Sequence, residues 1–187
     1  MLVVRLAALL HYVNDAKYRQ KGESAFSSKA FLEDAGLDCD RAELVCRVVD
    51  AVSFRKELMA KEQDRMGTSD PNERQWCQEC AELACVQDAD CLDAIGAFGV
   101  LHCAAFSGAR NRMLYNPCDS VIQDITYEQY VAQSGGTSGT AVAHFHEKLL
   151  KLASMMKTER GRQEAQRRHD YLIGFLQQVD EEFNFAG

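Results

Sequence analysis

The sequence predicts an all-α fold, a single domain over residues 1–187, and three observations carry that expectation. Helical periodicity recurs along the whole chain, no β-type alternation persists beyond a few residues, and only two prolines, Pro71 and Pro117, interrupt it. With 187 residues and 47% hydrophobic content, the chain is long enough to bury one proper core. We find no internal repeat and no low-complexity tract.

The elements follow in order. Residues 2–14 place Leu2, Leu6, Leu9 and Val13 on one stripe and predict a first helix. Residues 41–53 begin after Asp40 with Glu43 three positions later, a capping-box-like start, and present Leu44, Val45, Val48 and Val52 for burial. Residues 60–72 are polar, contain Gly67 and Pro71, and read as loop-rich. Residues 73–101 read as an acidic core helix and its approach. Residues 104–140 carry Gly108, Asn116-Pro117 and a Gly135–Gly139 cluster, so they read as a lid, a binding loop or a disordered stretch. Thr140 and Thr158 are the expected caps of helices at about 141–156 and 159–182.

The bulk numbers exclude some functions. A net charge of −7 argues against nucleic acid or an anionic membrane as partner, because both select a basic face. No apolar run reaches the length of a membrane span. The opening Met1–Leu10 has no basic region before it and no small-residue cleavage site after it, so it reads as a helix and not a signal peptide. A cytoplasmic protein is expected. The eight cysteines are scattered, and the lone Cys77/Cys80 CxxC pair lacks a second couple at zinc spacing, which favours plain thiols.

The chemistry-bearing residues cluster in a few segments. In Val86–Gly99 three carboxylates sit among apolar and small residues. At about 100° per residue, Asp90 and Asp93 fall beside Val86, Ala89 and Ala97, whereas Asp88 points the other way. A carboxylate on a packing face needs a positive partner, and a divalent metal is the commonest strong one. His11 and Asp15 share a helix face, with Lys17 and Lys21 in the polar turn that follows. In the helix at 141–156, His144, Lys148 and Lys151 form a cationic stripe opposite Phe145, Leu149, Leu152 and Met156, and such a stripe suits a phosphorylated ligand. His102, His146 and His169 read as packing or surface histidines, and the dipeptide His169-Asp170 lies too near the C-terminus to join the other segments.

Four ordered segments together carry a resemblance. Leu9-Leu-His-Tyr-Val-Asn-Asp-Ala-Lys-Tyr18, Ser53-Phe-Arg-Lys56, Val86-Gln-Asp-Ala-Asp-Cys-Leu-Asp-Ala-Ile-Gly-Ala97 and His144-Phe-His-Glu-Lys-Leu-Leu-Lys-Leu152, with Thr158-Glu159 opening the last helix, resemble the HD-domain phosphohydrolases. The match is to their small stand-alone bacterial and fungal branch and covers nearly the whole chain.

That resemblance implies an all-α HD-domain bundle whose divalent metal is held by an early histidine, an adjacent His-Asp pair and a later aspartate. Here it implies His11 and Asp90 as metal ligands and Asp15 as the group assisting the attacking water, while Asp93, on the same helix side as Asp90, reads as the group supporting them. Lys17, His144 and Lys148 become the phosphate contacts. Manganese, iron, nickel, cobalt or magnesium suits such ligands better than zinc held by thiolates. The substrate implied is a nucleotide or another small phosphoester.

Three positions depart from the pattern. Tyr12 stands where the pair has aspartate, Cys91 stands where a basic residue is usual, and the upstream histidine helix is missing. A phenol is a poor ligand for a hard cation. The bundle is therefore expected to lack its usual first helices and to derive from a longer protein or an incomplete gene prediction, leaving the Leu2, Leu6 and Leu9 stripe short of partners. The alternative expectation is a catalytically impaired HD-like or truncated protein that binds a phosphorylated ligand or partner without turnover.

Overall fold

Side chains that accept from their own helix's first amides start most of the helices. In the computed structural model, which describes residues 1–14, 26–119, 128 and 139–185, Ser27, Asp38, Ser53, Asp70 and Thr140 each accept such a bond. Thr158 does the same for the last helix, accepting from the Gly161 amide at 3.0 Å. The elements are α1 (Leu2–Leu10), α2 (Ser28–Asp34), α3 (Cys39–Ala51), α4 (Phe54–Met66), α5 (Pro71–Glu79), α6 (Ala81–Asp93), α7 (Gly96–Ala109), α8 (Ala141–Glu147), a 3₁₀ segment (Leu149–Met155) and α9 (Glu159–Phe185). Among the described residues there is no strand, as the all-α expectation requires. No single described helix is long and apolar enough to cross a membrane.

The chain divides into two compact units, Met1–Asp90 and Cys91–Gly187. In the first, α1 and α2 pack on α3. Its core gathers Ala7, Leu32, Val45, Val48, Leu83 and Val86, with Trp76 and Cys77 against its edge. Arg47 lies 3.8 Å over the Trp76 ring and donates to Glu73 at 2.6 Å, joining α3 to α5. In the second, α9 packs on α7 and on the 3₁₀ segment, burying Phe145, Leu149, Leu152 and Leu172.

Several boundaries differ from the sequence reading, each for a local reason. The α3 cap is Asp38 and not Asp40, since Asp38 holds an extended backbone and accepts the Arg41 amide at 3.0 Å. The stretch 60–72 is helical as far as Met66; Gly67, at φ 70°, ends α4 in the left-handed conformation that glycine adopts without strain. The loop expected from 104 starts only after Ala109. On α1 the buried stripe lies one residue over from the predicted one: Val3, Val4, Ala7 and Leu10 face the core, whereas Leu2 and Leu9 are exposed. Leu6 still packs against it. The helix expected to run to 156 leaves α geometry at Lys148 (φ −132°, ψ −59°) and continues as the 3₁₀ segment.

Candidate functional site

The first unit brings His11 and Asp90 together across 78 residues of sequence, through the residue between them in space, Tyr12. α1 stops at Leu10, and His11 closes it with its amide on the Ala7 carbonyl at 3.0 Å. The His11 Nδ1 lies 2.7 Å from the Ala8 carbonyl oxygen. A carbonyl only accepts, so Nδ1 carries a proton, and in the neutral form of the ring the lone pair lies on Nε2. That Nε2 faces the Asp90 Oδ1 at 3.5 Å. Tyr12 stacks tilted on the His11 ring at 3.9 Å and donates its hydroxyl to the same Oδ1 at 2.9 Å, a link spanning those 78 residues. The His11 and Asp90 side chains are 16% and 22% exposed, half-shielded yet reachable.

α6 positions Asp90 by its packing stripe. Leu83, Val86 and Gln87 are buried, and the Gln87 amide donates to the Ala51 carbonyl at 3.2 Å, so Asp90, one turn beyond Val86 and Gln87, comes to the rim of the core. Two expectations about this helix are corrected. Asp88, expected to face outward, is only 4% exposed. Asp93, expected beside Asp90, is exposed at the last position of α6. Ala89 and Ala97 are exposed as well. Within α6 the core takes up more than one stripe, which buries Asp88 beside Val86 and Gln87. Val86–Gly99 is also not one helix: it breaks after Asp93, and Gly96 at φ +80° starts α7 on a new course, so a single wheel misplaces Ala97.

The other predicted residues lie elsewhere. Asp15, Lys17 and Lys21 fall outside the described residues. His144 and Lys148 belong to the second unit, both half-buried, with the Lys148 amide on the His144 carbonyl at 3.0 Å. Because α geometry ends at Lys148, the predicted His144–Lys148–Lys151 stripe does not run along a single α-helix face. Burial pushes the half-buried Cys103 thiol up, while a hydrogen bond with Ser107 and then the charges of Arg112 and Lys148 pull it down. His102 and His146 are exposed and His169 half-buried, as surface and packing histidines would be.

Burial, then the Glu73 carboxylate, raise the Cys77 thiol, so Cys77 favours the protonated thiol over the thiolate that metals bind. Among the described residues no group of three or more His, Cys, Asp or Glu converges as a metal cage. The donor pair His11 Nε2 and Asp90 Oδ1 nevertheless fits a hard or borderline divalent cation. A histidine anchored through Nδ1 to a carbonyl is the arrangement that aims Nε2 at a metal, and water or phosphate oxygens can complete the coordination. Sequence reasoning treated Tyr12 only as a lost ligand. Its hydrogen bond to Asp90 had no local signal, since the two residues lie 78 positions apart in sequence.

Known proteins similar to this chain include several of solved structure. A Lactobacillus plantarum protein of known crystal structure is 30% identical, with 97% of this chain and 75% of that one covered and a TM-score of 0.74. The uncharacterised Bacillus subtilis protein YpgQ is 29% identical over 187 residues, covering 97% of this chain and 73% of YpgQ. Its crystal structure in complex with ADP gives 27% identity, coverage of 97% and 76%, and a TM-score of 0.67. An HD-superfamily hydrolase of Bacillus thuringiensis gives 26% identity, coverage of 97% and 73%, and a TM-score of 0.60. No family model matches the chain.

Proposed function

This chain belongs to the family of the Lactobacillus plantarum protein, and we propose from that premise that it is an HD-type phosphohydrolase acting on a nucleoside phosphate. The observation that carries the reading is the meeting of His11 and Asp90, residues 79 positions apart in number (90 − 11), at 3.5 Å. The likeness to an HD-superfamily hydrolase supports the reaction class, and the ADP held by YpgQ supports the substrate class.

His11 and Asp90 would hold a divalent cation, which when bound supplies a water of lowered pKa and neutralises phosphoryl charge. The chain's own groups do the rest. The Ala8 carbonyl fixes the imidazole so that Nε2 points at the carboxylate. Asp90 contributes the single anionic charge of the pair. Asp15, four residues after His11 in the sequence, is assigned to take the proton of the attacking water, and Lys17 to neutralise phosphate oxygens.

The test is phosphate release from a panel of nucleoside mono-, di- and triphosphates with manganese present. Release that falls at least 100-fold in both His11→Ala and Asp90→Ala is the expected result. No release from any member would overturn the enzymatic reading. One observation favours a second reading, binding without turnover: the neutral Tyr12 phenol occupies the Asp90 Oδ1. Under that reading ADP binds the wild-type chain in calorimetry while the panel stays silent.

A further inference from the structure

Asp90 Oδ1 takes the Tyr12 hydroxyl at 2.9 Å while facing His11 Nε2 at 3.5 Å, so one oxygen organises all three side chains. Left alone, an aspartate at a helix rim would turn about its two side-chain torsions and spend its time hydrated. The Tyr12 hydrogen bond restricts that freedom. It follows His11 directly in the chain, its ring leans on the imidazole at 3.9 Å, and its hydroxyl reaches the carboxylate on α6. The backbone that carries one donor of the pair therefore also carries the clamp on the other.

We infer that Tyr12 is a positioning residue, which holds the Asp90 carboxylate against His11 so that the donor pair is preformed. The inference rests on the cation-binding part of the reading above, and it gives the departure from the His-Asp pattern a purpose. A donor group costs the site one anionic charge, yet it orients the charge that remains. Hydrogen-bond partners of ligating carboxylates commonly set metal affinity by 10- to 100-fold. The phenol is 45% exposed, so water competes for it and the lower end of that range applies.

Two measurements test this. In calorimetric titration of manganese into the full chain, Tyr12→Phe should weaken binding about tenfold. Tyr12→Ala should weaken it by the same factor, since the hydroxyl and not the ring is the clamp. Affinity within twofold of wild type in Tyr12→Phe, or an effect seen only in Tyr12→Ala, would overturn the inference. The second measurement needs no metal: the melting temperatures of Tyr12→Phe, Asp90→Ala and the double variant. The double variant should melt no lower than Asp90→Ala alone, because the clamp has nothing left to hold. Shifts that simply add would refute the clamp. If the wild-type chain takes up no manganese, the cation-binding reading fails, and the melting shifts alone decide the role of Tyr12.

Discussion

α6 and α9 both carry carboxylates, and the two helices dispose of that charge in opposite ways. On α9, Glu164 is gripped by its own helix: Arg167 and Arg168 donate to it at 2.7 and 2.8 Å, three and four residues away. Those hydrogen bonds hold its carboxyl down to about 2 from an ordinary 4.5. On α6, Asp90 is held from a distant part of the chain, by Tyr12, and Asp88 is buried outright. A carboxylate satisfied by neighbours one turn away decorates a helix surface and costs little to assemble. One satisfied from 78 residues away requires the fold to exist first, and its geometry is therefore available for chemistry. A shifted carboxyl alone does not mark a site: Glu164 owes its shift to an ion pair within one helix.

The largest expected effect breaks the α6 side of that contrast. Leu83 is 0% exposed in the core beneath Asp90, and Leu83→Ala should lower stability by about 2–5 kcal/mol in urea melts. Manganese affinity should fall with it, because the packing that brings α6 to the core loosens. Next comes Gly96, where α7 begins at φ +80° and an added Cβ would meet the Arg168 Cγ at 3.0 Å. Gly96→Ala should cost about 1–3 kcal/mol by the same melts. Asp88→Ala, which removes a buried polar group together with its interactions, should cost about 1–3 kcal/mol while leaving manganese binding within twofold.

The smallest effect belongs to α9. A carboxyl depressed in the folded state stabilises above its unfolded value and loses that contribution as pH falls through the folded one. For Glu164 the window runs from 4.5 down to about 2. Exposure to water screens the pair, so Glu164→Gln should leave the melting temperature at pH 7 unchanged within error. A clear drop there would erase the distinction between the two helices.

The sequence made the all-α class legible because 3.6-residue periodicity is written into each long helix, and Thr140 and Thr158 capped helices where expected. The family resemblance pointed to His11 and Asp90, and a carboxylate on an apolar helix face gave Asp90 a local signal as well. What it could not supply was anything set by backbone breaks or long-range packing. The turn at Gly96 set α7 on a course separate from α6, the break at Lys148 cut the cationic stripe, and the α1 stripe shifted by one residue because Arg5 is the single polar side chain within α1 to mark its outward face. Leu2, Leu9 and Val13 look as inward as Val3, Ala7 and Leu10 until α3 is packed against them. Burial of Asp88 was equally hidden, as a short helix wedged in a core can bury more than one stripe.

The central claim is that His11 and Asp90 act as one cation-binding pair. Titration of manganese into the wild-type chain and into Asp90→Ala, followed by calorimetry, tests it most directly. The account predicts a saturable site in the wild type that Asp90→Ala abolishes, with the variant still folded by circular dichroism. Equal manganese uptake by the two proteins, or none by the folded wild type, would contradict it.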